Sequence, residues 1–249
     1  MYSLSFISQK DFESHVAKTI ESYNASLASI NLADFNSNII DPIKLLFDKS
    51  VYRKSFDEII SLEIHRQRDK SNTNAIGYFH QNMFKYISGC EVPTQGWDVI
   101  YSGDKFKVYV EMKNKHNTMN SSSSQKTYIQ MQNQILKTPN DYCYLVEVIA
   151  PVSRNMPWGC SVNGSHVESD HIRRVSIDQF YKLVTGIDDA FYQICQQLPK
   201  TINKLVAANS VPTVKPDTVI DELKRKNPDT LSALYLLAFE TYEGFKVLK

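Results

Sequence analysis

Apolar residues recur at helical spacing through the first third of the chain. Phe12, Val16, Ile20 and Tyr23 fall on one face of an amphipathic helix. A polar stretch rich in Asn, Ser and Ala follows over 24–38, and Pro42 then opens a helix through Leu45, Leu46 and Phe47. Ser55 with Glu58 three residues on forms a capping box, which predicts a helix through about Asp69. A new helix is predicted from Thr73 or Asn74. It carries Ile76, Phe79, His80, Met83, Phe84 and Ile87, and Gly89 ends it.

In the middle the period changes from helical to two. Phe106, Val108, Val110 and Met112 alternate with Lys107, Tyr109, Glu111 and Lys113, so the apolar set lies on one face of a strand and Glu111 and Lys113 share the other. Gly96-Trp97-Asp98-Val99-Ile100 precedes it, and the tight Ser102-Gly103-Asp104-Lys105 connection predicts a hairpin that brings Asp98 alongside. A polar loop is predicted over 114–124, with four consecutive serines, and a helix over about 125–137. Thr138-Pro139-Asn140 stops that helix before Tyr142–Ala150, the most strand-like run in the chain. A strand, a crossover helix and a strand should be parallel and right-handed.

The last third reads as mainly helical. A short strand near Arg173–Ile177 leads into a helix through Phe180, Leu183 and Val184. A longer helix from Asp188 towards Ala208 is predicted to break at Pro199, and 212–216 reads as a linker. Two terminal helices follow, near Val219–Lys226 and from Pro228 to about Tyr242. The whole is expected to be a single α/β domain over 1–249. Its parts are a helical N-terminal region (1–73), an α/β core (74–177) and a helical C-terminal region (178–249), with no internal repeat.

The hairpin is where chemistry enters. Two carboxylates and an ammonium at one point suit a divalent cation and an activated water for phosphodiester hydrolysis. Glu-x-Lys spacing alone says little, because charged residues make up 22% of the chain and Glu222-Leu223-Lys224 repeats the spacing on a solvated helix. The pair at Glu111 differs in having an Asp-bearing strand before it and a helix and strand after it.

Composition narrows the partner. Lys plus Arg number 28 against 27 for Asp plus Glu, so overall charge is uninformative. Between Asp98 and Lys137, however, six lysines face three acids, two of which are Asp98 and Glu111; that segment is the best candidate footprint for a polyanion. The four cysteines lack a Cys-x-x-Cys pair and read as free thiols of a reducing cytoplasm. Cys160, His166 and His171, with Glu168 and Asp170, match no standard zinc spacing. With no signal peptide or membrane span visible, a soluble cytoplasmic protein is expected. A serine hydrolase elbow is also missing.

Asp98, then Glu111-Met112-Lys113, in this order of elements, resemble the PD-(D/E)XK nuclease core, with Trp97 where that motif usually carries Pro. More specifically, three segments resemble the GGNCC-cutting, SinI-like group of type II restriction endonucleases: Asn74–Gln81, Gly96-Trp97-Asp98 and the long run Glu111–Asn120. The resemblance covers about residues 60–160. It implies a PD-(D/E)XK core, a mixed central sheet flanked by helices, with helical additions. It implies Mg²⁺-dependent cleavage of double-stranded DNA, expected at GGNCC with 5′-phosphate ends, by a homodimer whose functional partner is a cognate methyltransferase.

On this resemblance Asp98, Glu111 and the Met112 backbone carbonyl hold one or two Mg²⁺ ions. Glu63, an acid on the apolar helix face of Phe56, Ile59 and Ile60, is either a further ligand or the partner of a buried salt bridge with Arg66 or Lys113. Lys113 positions water or stabilises developing charge. His80 and Gln81 are candidates just behind the site. Asn114, Lys115, His116, Asn117, Asn120, Ser121, Gln125, Lys126, Arg154 and Asn155 are candidate DNA contacts, combining amide, hydroxyl and basic donors. Arg154 is a candidate reader of guanine through O6 and N7, and Arg173 and Arg174 are either phosphate contacts or plain surface charges. The apolar helix around Leu231, Leu234, Tyr235 and Phe239 could pair two copies or simply fill a core. The rival readings are a structure-selective, repair or phage nuclease of the same fold, a catalytically dead DNA-binding module, and a non-nuclease interaction protein.

Overall fold

The structure, a computed structural model, describes residues 2–116, 118–162, 164–208, 216–241 and 245. In chain order its elements begin with α1 (Gln9–Ser26), α2 (Leu32–Asn36), α3 (Pro42–Tyr52) and α4 (Phe56–Met83), then a 3-10 turn at Phe84–Tyr86. β1 (Cys90–Glu91), β2 (Val99–Ser102), β3 (Lys107–Lys115), α5 (Ser121–Lys137) and β4 (Tyr142–Ile149) follow. The remainder comprises β5 (Asn155–Pro157), β6 (Cys160–Val162), β7 (Ser165–Val167), β8 (Ile172–Ser176), α6 (Ile177–Thr185), α7 (Ala190–Ala208), α8 (Val219–Lys226) and α9 (Thr230–Phe239). The chain packs into two compact units, one of residues 1–20 and 75–210, the other of 21–74 and 211–249.

The first unit holds a six-stranded sheet in the order β1-β2-β3-β4-β8-β5. β1, β2 and β3 are antiparallel, β3, β4 and β8 are parallel, and β5 returns antiparallel at the far edge. The β3–α5–β4 crossover therefore has the parallel geometry that its length predicts. Both faces of the sheet are covered. On one, Val108, Val110, Tyr144, Val146 and Val175 pack with Phe12 and Val16 of α1, Phe79 and Met83 of α4, and Phe180 and Ile194 of α6 and α7. On the other, Cys143, Leu145 and Ile172 pack with Tyr128 and Met131 of α5 and with Trp158 and Cys160. Double coverage explains why β4 reads as a continuous apolar run rather than an alternating one.

The second unit is helical. Phe35, Leu45, Ile59, Ile60, Ile64, Val219, Leu223 and Leu234 form its core. Arg68 anchors it by pairing with Asp217 at 2.7 Å and donating from Nε to the Ser26 carbonyl at 2.9 Å. Leu234, on the face weighed as a pairing surface, is fully buried in this core.

Several local expectations are corrected. The capping box at Ser55 is present, with the Ser55 N–H on Glu58 Oε2 at 2.8 Å and the Glu58 N–H on Ser55 Oγ at 3.2 Å. The helix it opens does not stop near Asp69, however. Thr73 and Asn74 lie inside a continuous α4, because neither residue blocks helical hydrogen bonds. Pro199 likewise lies within an unbroken α7. The four serines are not a loop. They form the first turn of α5, because the Asn120 side chain accepts the Ser123 N–H at 2.8 Å as an N-cap. Asn114 and Lys115 are strand residues of β3. The polar 24–38 stretch contains α2. The short strands β1, β5, β6 and β7 escape sequence reading because two or three residues carry no measurable periodicity. The 212–216 linker lies outside the described residues except for Pro216, and the last helix, expected to reach about Tyr242, ends at Phe239.

Candidate active site

Asp98 is the residue immediately before β2, and three contacts decide where its carboxylate sits. Its N–H donates to the Val110 carbonyl at 3.0 Å, and its Oδ2 accepts the Met112 N–H at 2.7 Å. Gln81 of α4 donates to the Asp98 carbonyl at 3.2 Å. The two bonds to β3 bracket Glu111, so the Asp98 carboxylate stands beside the Glu111–Lys113 face of that strand. Lys113 Nζ bonds Glu111 Oε1 at 2.7 Å, with the two side chains 29% and 20% exposed.

The neighbouring strand defines the floor. In the parallel ladder Glu111 pairs with Leu145 and Lys113 with Glu147, so these four side chains leave the sheet on one face. Tyr109, two residues earlier on that face, packs with Trp97 at a ring separation of 5.7 Å. The site thus lies at the C-terminal end of the parallel strands, on the side covered by α5.

Burial pushes the Asp98 carboxyl above its ordinary range, and the Glu111 charge adds to this. The Met112 N–H and the Lys113 ammonium act in the opposite direction without cancelling it. Two adjacent carboxylates with one ammonium leave negative charge in a partly desolvated place, which a cation would relieve. Hard oxygen donors of this kind suit Mg²⁺. Among the described residues no group of three or more His, Cys, Asp or Glu side chains is arranged to hold a metal ion. A cation here would therefore lean on Asp98, Glu111 and main-chain or solvent oxygens. The loose Cys160, His166 and His171 group is likewise no such site; His171 Nδ1 is spent on the Asp141 carbonyl at 2.8 Å.

The remaining sequence candidates divide. Gln81 reaches the Asp98 main chain. His80 is half-buried with its ring edge-on to Phe79, and burial, helped by the nearby His15, pushes its imidazole down to about 4. Glu63 is buried in the second unit, bound to Arg66 at 2.5 Å and to Gln67 at 3.3 Å. These hydrogen bonds outweigh its burial and hold its carboxyl below the ordinary range. Asn114 alternates to the opposite face from Lys113, whereas Lys115 is exposed at the end of β3. Asn117 lies outside the described residues. Asn120 caps α5, Ser121 and Lys126 are exposed on its first turns, and Gln125 is half-buried there. Asn155, in β5, accepts from Arg173 Nε at 2.6 Å. His116 and Arg154 come together on one buried carboxylate, Glu147.

Glu147 is what residue-by-residue reading passes over; its third partner, Arg174, reads in sequence as a phosphate contact or a surface charge, without the buried acid that holds it. A signal is there: a single acid inside the apolar run Tyr142–Ala150 demands a cationic partner, and Arg173-Arg174 stands in the next long strand.

No helix among the described residues is long and apolar enough to cross a membrane. Residues 4–207 match the family described as Eco47II restriction endonuclease. The chain is similar to the type II restriction enzyme Sau96I of Staphylococcus aureus, 31% identical over 204 residues that cover 79% of this chain and 78% of that protein. It is also similar to the type II restriction enzyme Eco47II of Escherichia coli, 29% identical over 182 residues, 70% of this chain and 76% of the relative.

Proposed function

The chain belongs to the Eco47II restriction endonuclease family and is a type II restriction enzyme, and from that premise we propose that it cuts double-stranded DNA at GGNCC through a PD-(D/E)XK site. The observation that carries this reading is the bond from the Met112 N–H to Asp98 Oδ2, which sets the Asp98 carboxylate beside Glu111 and Lys113.

In this reading Asp98, Glu111 and the Met112 carbonyl hold Mg²⁺. When bound, the ion supplies Lewis-acid polarisation of the scissile phosphate. The chain's own groups do the rest. Asp98 and Glu111 keep a dense negative charge at one point, and the sheet under them keeps it from relaxing. Lys113, tethered by Glu111, orients the attacking water and offsets charge that develops on the phosphate. Hydrolysis leaves a 5′-phosphate end. Gln81 steadies the main chain of Asp98. The amide, hydroxyl and basic groups of His116, Asn120, Ser121, Gln125 and Lys126 stand beyond the catalytic strand, where DNA would be read and held.

GGNCC is nearly palindromic, so a two-fold symmetric homodimer is the natural reader. Such an enzyme works in the cytoplasm beside a methyltransferase that protects the host's own sites.

The test is digestion of an unmethylated plasmid of known sequence with Mg²⁺, beside Asp98→Ala and a metal-free control. Discrete fragments ending at GGNCC, lost in both controls, are expected. Discrete ends at another sequence would replace the target. A smear would remove the site-specific part of the reading, and intact plasmid across several divalent metals would overturn the nuclease itself.

A further inference from the structure

Near the end of β4 lies a charged group that catalysis, as described, leaves unused. Glu147 is 1% exposed. An ionised carboxylate in such a place must be compensated, and here three elements do so. Arg174 of β8 donates from Nε at 2.8 Å and approaches through Nη2 at 2.5 Å, both on Oε1. His116, one residue past β3, meets the same oxygen through Nδ1 at 3.0 Å. Arg154, from the β4–β5 connection, bonds the other oxygen through Nη2. Burial alone would raise the Glu147 carboxyl; the hydrogen bonds from Arg154, Arg174 and His116 outweigh it and keep the carboxylate ionised.

Two features exceed what a structural ion pair needs. The first is charge: one carboxylate against two guanidinium groups leaves a surplus of one positive charge with His116 neutral. The second is an unspent donor, since the Nε of Arg154 is buried without a hydrogen-bond partner. The arrangement is also held firmly. The Arg154 N–H donates to Ser176 Oγ at 2.9 Å, and the Arg154 carbonyl accepts the Ser176 N–H at 2.9 Å. Its position is informative too. Glu147 is the register partner of Lys113 and leaves the sheet on the same face, so the surplus cation sits next to the Glu111–Lys113 pair.

The geometry points to a phosphate clamp: Arg154 and Arg174, held in place by Glu147 as a positioning residue, take a DNA backbone phosphate next to the one cut at Asp98 and Glu111. This rests on the nuclease reading above and extends it. It assigns Arg154 to the backbone rather than to a guanine edge. A base reader must extend into a groove, whereas the Arg154 side chain is 16% exposed and tied to a buried acid. A phosphate, which presents its charge at the DNA surface, can come to such a group.

Binding of two 30-base-pair duplexes, one with GGNCC and one without, is measured by fluorescence anisotropy in Ca²⁺ across a KCl series, with single-turnover cleavage in Mg²⁺. The proteins are wild type, Glu147→Gln, Arg154→Gln and Arg174→Gln, each checked for folding by circular dichroism. Loss of one phosphate contact should weaken both duplexes by a similar factor and make the slope of log K against log salt shallower by about 0.9. Cut positions should not change. Glu147→Gln should shift the slope in the same direction, which a purely structural role would not do. Should Glu147→Gln fail to fold, Arg174→Gln carries the test, because it removes one rim cation and leaves the Arg154–Glu147 pair. A folded Arg174→Gln with the wild-type slope and affinity would overturn the clamp, as would an Arg154→Gln that weakens only the GGNCC duplex. If wild type itself neither binds nor cuts, the nuclease reading is what fails.

Discussion

Met112 donates its backbone N–H to Asp98 Oδ2 at 2.7 Å, so one carboxylate of the site is positioned by the main chain of the strand that carries the other. Position and charge can therefore be separated. The Asp98→Asn substitution keeps an oxygen acceptor for Met112 while removing the charge whose burial raises the Asp98 carboxyl. Asp98→Asn is expected to cut DNA more slowly by more than about 100-fold, a larger loss than for removing a group behind a metal ligand. Its metal-free unfolding midpoint at pH 7 should hold or rise. A fall of more than about 4 °C, roughly 1 kcal/mol for a chain of this size, would mean that Asp98 serves the fold.

Lys113 is tied to Glu111 at 2.7 Å on the same strand face. Lys113→Met keeps the side chain's length and removes the ammonium. Single-turnover cleavage should drop by about 100- to 1000-fold, the scale for losing one donor to developing charge. Affinity for an uncut duplex in Ca²⁺ should change by less than about tenfold. Retained cleavage with lost affinity would recast Lys113 as a DNA anchor.

His80 supplies a pH signature unrelated to catalysis. Burial, with His15 nearby, lowers its folded pKa to about 4, below the ordinary 6.5. In the window from 6.5 down to about 4 the unfolded chain takes up a proton that the folded one refuses. The stability is thus whole above 6.5 and is lost as pH falls towards 4. His80→Leu should recover about 1–2 kcal/mol of the loss between pH 7 and pH 5, read by urea unfolding at the two values. An identical loss in the variant would show that His80 titrates normally.

Asn120 reads in sequence as a DNA contact, yet its side chain caps α5 through the Ser123 N–H at 2.8 Å. Asn120→Ala should cost about 1 kcal/mol of stability, whereas Asn120→Asp should keep it because aspartate caps as well. DNA binding then separates the two roles. If Asn120 also touches DNA, the Asn120→Asp variant would fold normally but bind more weakly, since it adds a negative charge. Equal binding by wild type and Asn120→Asp would leave Asn120 a cap alone.

Much of the central architecture is legible in the sequence. Alternation along 106–113 identifies β3 and its two faces, the 138–150 pattern identifies β4, and a helix between them dictates a parallel pair. Periodicity is a local property, so long regular segments display it. Where the signal is one residue deep the reading fails. Asn120 looks like part of a loop until its capping bond is seen, and Pro199 looks like a break although tertiary packing carries α7 through it.

The sequence by itself determined which residues share a strand face, and so that Glu111 and Lys113 are neighbours; Asp98, read as part of the strand before, stands one residue ahead of β2. It could also assign the chain's middle to a mixed α/β sheet. Tertiary structure decided the rest. The compact units do not follow chain order: residues 1–20 pack with 75–210, whereas 21–74 pack with 211–249. Glu63 went to Arg66 and Gln67 within the second unit. Glu147, Arg154, Arg174 and His116 met on one carboxylate although they come from four separate segments. The reason is physical. A strand's facing follows from backbone geometry over a few residues, but the partner of a buried charge is chosen by which segments the folded sheet sets side by side.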